Sequence, residues 1–154
     1  MAELVDAVDS KSTLGNKVSV RVRPSAIFFL GGAMSKGTIY IHKKCSTCKN
    51  ALKFLEENGS LKNYQIEDIT ETPPTLEELK KMLQLYEGNI KKLFNTSGNM
   101  YRDLELSTKL PSMPQEKALK LLSENGMLVK RPFLISSKVG LVGFKKAEYE
   151  KTFN

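Results

Sequence analysis

The segment IHKKCSTCKNALKFLEENG, from Ile41 to Gly59, sets Cys45 and Cys48 two residues apart and carries His42, the single histidine of the chain. Three kinds of chemistry fit these residue types. The thiols could cycle between dithiol and disulfide, His42, Cys45 and Cys48 could ligate a metal, or both cysteines could be structural thiols. A structural zinc site takes four ligands. With no third cysteine and no second histidine, a carboxylate or another subunit would have to complete it, so no metal is expected.

The redox chemistry depends on the elements that hold the pair. GTIYIH reads as a short β-rich run. STCKNALKFLEENG reads as a helix, with Ala51, Leu52, Phe54 and Leu55 at helical spacing and Gly59 as its stop. A cysteine just before a helix lies near unpaired backbone N–H groups and the positive end of the helix dipole, which favour thiolate over thiol. Lys43 and Lys44 add positive potential. Cys48 follows one helical turn later, within reach of Cys45, so it can expel a mixed-disulfide partner and leave an internal disulfide. Cys45 is the expected nucleophile and Cys48 the resolving thiol. His42 is expected to end the first strand as an ordinary hydrogen-bonding side chain.

The rest of the chain supplies a scaffold. NYQIEDI predicts a second strand with Tyr64, Ile66 and Ile69 as its apolar positions. TPPTLEELKKMLQLY predicts a helix capped by Thr75, with Glu78 as the capping-box partner. A polar, mostly helical middle comes next, with NIKKLF, a loop NTSGNMYRDL, and MPQEKALKLLSENG, whose Ala118, Leu121 and Leu122 form an apolar face. RPFLISSKVGLVGF reads as two β-rich runs around a Ser137–Lys138 turn, and KKAEYEKTF as a short closing helix. The order βαβ, helices, ββα fits the α/β class, as a thioredoxin-like mixed sheet with a helical insertion.

Composition bounds the function. The chain has 154 residues, 40% of them hydrophobic, enough for one domain with a real core. Its formal charge of +7 is spread along the sequence and not gathered in one arginine-rich block, so no direct DNA binding is expected. No apolar run reaches membrane-spanning length. Two cysteines make no secreted disulfide framework, and the expected compartment is the cytoplasm.

Residues 1–33 differ from the remainder of the chain. They lack sustained periodicity, and SVRVRP alternates like a strand with no evident partner. Met-Ala-Glu-Leu-Val-Asp can be encoded by ATGGCGGAATTGGTAGAC, which resembles the 5′ part of bacterial leucine tRNA genes, and Val20–Arg23 can contain the T-arm sequence GTTCGAGTCC. Leu30-Gly31-Gly32 can span AGGAGG, a ribosome-binding sequence, just before Met34. The expectation is a spurious or disordered extension over 1–33 and a domain over 34–154. A signal peptide around AIFFLGGA is the weaker alternative, because the segment before it is long and contains acidic residues.

Taken together, YIHKKCSTCKNALKFLEENG, DITETPPTLEELKKML, KKLFNTSGNMYRDL, ENGMLVKRPFLI and VGFKKAEYE resemble the arsenate reductase/Spx family over about Thr38 to Phe153. That resemblance implies a glutaredoxin-like fold and a cis peptide bond before Pro132, facing the active cysteine. Arsenate-reducing members use three arginines to hold the oxyanion. Arg131 matches one, whereas Asn95 stands at another and Phe144 followed by Lys145 near the third. Asparagine and phenylalanine do not replace a planar bidentate donor, so arsenate reduction is demoted. Arg131, Pro132 and Asn95 are the expected substrate-binding residues, with Arg131 binding either a substrate anion or a carboxylate of the protein. The leading expectation is a thiol-disulfide oxidoreductase or reductase with no bound cofactor, acting on a thiol or disulfide substrate or a reductant protein, with glutathione or thioredoxin as electron donor. Spx-type members imply an alternative, a redox-responsive regulator that binds the RNA polymerase α-subunit.

Overall fold

The computed structural model describes residues 36–154, so the extension expected over 1–33 lies outside the described residues. Strand β1 (Gly37–Ile41) leads through the cysteine turn into helix α1 (Ser46–Glu57), and β2 (Tyr64–Asp68) comes after it. Helices α2 (Leu76–Leu85), α3 (Asn99–Asp103), α4 (Leu106–Lys109) and α5 (Gln115–Glu124) come before β3 (Phe133–Ser136), β4 (Gly140–Val142) and the closing helix α6 (Lys146–Phe153). The sheet order is β2-β1-β3-β4. β1 pairs parallel to β2 and antiparallel to β3, and β3 pairs antiparallel to β4. This is the mixed sheet with a helical insertion that the pattern of elements predicts.

Side-chain alternation along the strands builds two cores. Ile39, Leu134 and Leu141 face one way and pack with Ala51 and Leu55 of α1 and Tyr149 of α6. Tyr40, Phe133, Ile135 and Val142 face the other way, against Leu79, Met82 and Leu83 of α2 and Ala118, Leu119 and Leu122 of α5. A fully buried side chain such as Leu55 contributes roughly 1.5–3 kcal/mol, so the helix carrying the cysteines is firmly seated. Gly59, at φ +68, ends α1 as expected.

The α2 cap forms as predicted. Thr75 Oγ1 accepts from the Glu78 amide at 3.2 Å, and Glu78 Oε2 accepts from the Thr75 amide at 2.8 Å. The same carboxylate accepts from the Tyr40 hydroxyl at 2.8 Å, tying the helix start to the central strand.

Three expectations need correction. Ile66 is 47% exposed, because β2 is an edge strand, while Ile69 is buried just beyond its end. On α5 the buried face is Ala118, Leu119 and Leu122, and Leu121 packs only at its margin. The stretch NTSGNMYRDL is not wholly a loop: α3 occupies Asn99–Asp103 so that Tyr101 can bury its ring against Phe94.

Candidate active site

The sheet brings the expected site residues to one end. Tyr40 pairs with Phe133, so the turn that leaves β1 toward Cys45 emerges beside Arg131 and Pro132, which enter β3. The Arg131–Pro132 bond is cis, and Pro132 is buried. Its carbonyl accepts from the Gly143 amide at 2.8 Å, which draws the segment after β4 to the same end. Around the cysteines, the Cys45 amide donates to the His42 carbonyl at 2.9 Å, closing the turn into α1.

Cys45 is the N-cap of α1 and is partly exposed, whereas Cys48, one turn inside the helix, is only 1% exposed. The difference in setting divides their chemistry. Burial is the largest single influence on the Cys45 thiol and pushes it up. It is outweighed by the Cys48 amide, the Cys48 side chain, the Thr47 amide and the positive charge of Arg131, and the thiol ends below its ordinary value. Its side chain makes no capping hydrogen bond, and the Cys48 and Thr47 amides still draw the thiol down.

At Cys48 burial prevails. The His42 amide and Arg131 pull the thiol down, hydrogen bonding and charge from Cys45 push it up with burial, and it is pushed up to about 12. The two cysteines are free thiols here.

Among the described residues, the cation acting on both thiols is Arg131. Lys43 turns instead to Asp68 and Glu71, at 3.4 and 3.8 Å, so its expected contribution at Cys45 is diverted to the end of β2. Among the described residues, no carboxylate lies in salt-bridge range of Arg131. Its Nη1 donates toward Met127 Sδ at 3.2 Å. Met127 is a contact that residue type alone gives no reason to expect; the spacing of four between Met127 and Arg131 is its only trace in the sequence.

Asn95 reaches this end through its backbone. Its amide donates to the Leu128 carbonyl at 2.7 Å, and the Lys130 amide to the Leu93 carbonyl at 2.8 Å, so its loop runs beside the approach to Arg131. Its side chain folds onto its own turn: a Cβ added to Gly98 would stand 2.8 Å from Asn95 Nδ2. Phe144 turns into the core side, packing on Phe54 and Tyr149, and Lys145 pairs with Glu148 at 3.1 Å. Arg131 is therefore the one guanidinium among the three positions singled out for anion binding.

Among the described residues, no group of three or more His, Cys, Asp or Glu side chains is gathered so as to hold a metal ion. No helix of the described residues is long and apolar enough to cross a membrane.

Comparison with known proteins places these features in context. The model of the ArsC family matches residues 40–152. Protein YusI of Bacillus subtilis, itself uncharacterized, is 42% identical over 116 residues, covering 75% of this chain and 97% of that protein. The global transcriptional regulator Spx 1 of Bacillus cereus is 28% identical over 114 residues, covering 74% of this chain and 84% of the regulator. Among solved structures, an ArsC family related protein from Bacteroides fragilis superposes with a TM-score of 0.71 at 44% identity, covering 77% of this chain and 98% of that one. A possible arsenate reductase from Streptococcus mutans UA159 does so with a TM-score of 0.70 at 34% identity, covering 77% and 99%.

Proposed function

The chain belongs to the ArsC family, and from that premise we propose that it is a thiol-disulfide oxidoreductase in which Cys45 attacks and Cys48 resolves. The observation that carries this reading is the opposed setting of two neighbouring thiols: Cys45 partly exposed at a helix N-terminus, Cys48 buried one turn inside.

The Cys45 thiolate attacks one sulfur of a substrate disulfide, forms a Cys45–substrate bond and releases the other sulfur as a thiolate. That step also removes the negative charge of Cys45, which helps hold the proton on Cys48. Cys48 then ionises more readily, attacks the Cys45 sulfur and releases the second substrate thiolate. Two electrons pass from the pair to the substrate, and the Cys45–Cys48 disulfide is left to be reduced by an external thiol, glutathione or thioredoxin. Arg131 stabilises the Cys45 thiolate and is available to a substrate anion. Pro132, buried and cis at the same end, and Asn95, in the adjoining loop, would border the bound substrate.

Turnover of hydroxyethyl disulfide, with glutathione or thioredoxin as reductant, tests the reading. Wild type should catalyse the reduction and Cys45→Ser should not. Equal rates for the two proteins would refute it.

The similarity to Spx 1 supports a second reading, a redox-responsive regulator whose partner is the RNA polymerase α-subunit. Binding of that subunit that changes when the pair is oxidised, with no turnover of disulfides, would select it over the enzyme.

A further inference from the structure

The guanidinium of Arg131 acts on both thiols, yet no described residue offers it a carboxylate. Among the described residues its hydrogen-bond partner is the Met127 thioether, at 3.2 Å from Nη1. Met127 is 39% exposed, although its neighbours Gly126 and Leu128 are both buried. The mount beneath it is fixed. The Leu128 amide donates to Asn125 at 2.9 Å and the Val129 amide to Gly126 at 3.1 Å. Gly126 lies so close to the Ile69 carbonyl that no Cβ fits there. Core burial therefore does not explain Met127, which projects from a rigid turn onto the one arginine of the site.

We infer that Met127 is a positioning residue: its sulfur holds the Arg131 guanidinium at the thiol end of the sheet and keeps it from swinging into solvent. A long cationic side chain without an anchor spends much of its time extended in water, where its charge is screened. A thioether is a weak acceptor, suited to orienting a guanidinium without neutralising it as a carboxylate would. The charge stays available to the Cys45 thiolate and to a substrate anion. This inference rests on Cys45 being the nucleophile.

The test is the rate of iodoacetamide alkylation against pH in the full chain, with the label mapped to each cysteine by peptide mass. Met127→Leu should slow alkylation of Cys45 near neutral pH by about twofold, the scale of a partly exposed charge interaction, and move its midpoint upward. Met127→Gln, which retains an acceptor at similar reach, should restore the wild-type profile. In an Arg131→Gln background, Met127→Leu should add nothing. An unchanged profile in Met127→Leu, the same change in both backgrounds, or failure of Met127→Gln to restore it overturns the inference and leaves the nucleophile assignment standing. Label on Cys48 in place of Cys45 in wild type overturns that assignment and the inference with it.

Discussion

The ring of Phe144 meets that of Tyr149 edge-on, with centroids 4.8 Å apart. Phe54 completes the cluster, 5.8 Å from Tyr149 and 6.1 Å from Phe144. The position near which arsenate-reducing relatives are expected to carry an arginine is thus committed to packing beneath the cysteine helix. Phe144→Ala should cost about 2 kcal/mol, below the range for a fully buried ring because this one is half-buried. Phe144→Arg should destabilise comparably and confer no efficient arsenate turnover. Urea denaturation and an arsenate reduction assay check the two halves.

Asn95→Arg tests the anion site separately. It adds a guanidinium to the loop beside the approach to Arg131, but the present amide is folded against Gly98 and nothing in that turn prepares a bidentate geometry. Arsenate turnover should rise only partly. Efficient turnover by the unmodified chain would show that one arginine is enough.

Much of this arrangement is legible from the sequence, for local reasons. The cap of Thr75 and Glu78, the stop at Gly59 and the strand-to-helix junction at Cys45 each stem from neighbouring residues, and the ArsC-like and thioredoxin-like order stems from the succession of such elements. What depends on distant packing is not legible. Ile66 and Ile69 are the same residue type in the same run, yet Ile66 sits on the edge strand β2 and is exposed, whereas Ile69, just past its end, joins the buried core. Lys43 stands two residues before Cys45, yet Asp68, brought alongside by the parallel pairing of β1 and β2, captures it. The contact of Met127 with Arg131 depends on a tight turn that periodicity does not reveal.

The α2 cap predicts a stability effect remote from the thiols. Thr75→Ala removes the side-chain acceptor of the Glu78 amide and should cost about 1 kcal/mol. Glu78→Ala should cost more, because it also removes the acceptor of the Tyr40 hydroxyl. Denaturant midpoints of the two variants give the comparison.

The raised Cys48 thiol gives stability a dependence on alkaline pH. Above its ordinary value, near 9.0, the unfolded chain has released the proton that the folded chain keeps to about 12. The folded state then binds more protons than the unfolded one, and stability falls as pH rises, by at most roughly 1.4 kcal/mol per unit. Tyr149, also pushed up by burial, acts in the same sense at higher pH. The lowered Cys45 acts oppositely: its contribution is present above the unfolded value and lost as pH falls through the folded one. Under reducing conditions, denaturant midpoints should drop between about pH 9 and about pH 11, and Cys48→Ala should drop less.

The most direct test of the central claim is intact mass after exposure to a small disulfide. Cys48→Ser should accumulate one mixed disulfide, mapped to Cys45, because the first attack proceeds and nothing resolves it. Cys45→Ser should take up no adduct on the same timescale, and wild type should end with an internal Cys45–Cys48 disulfide. A stable adduct on Cys48 in the Cys45→Ser protein, formed as fast as that on Cys45 in Cys48→Ser, would contradict the assigned roles.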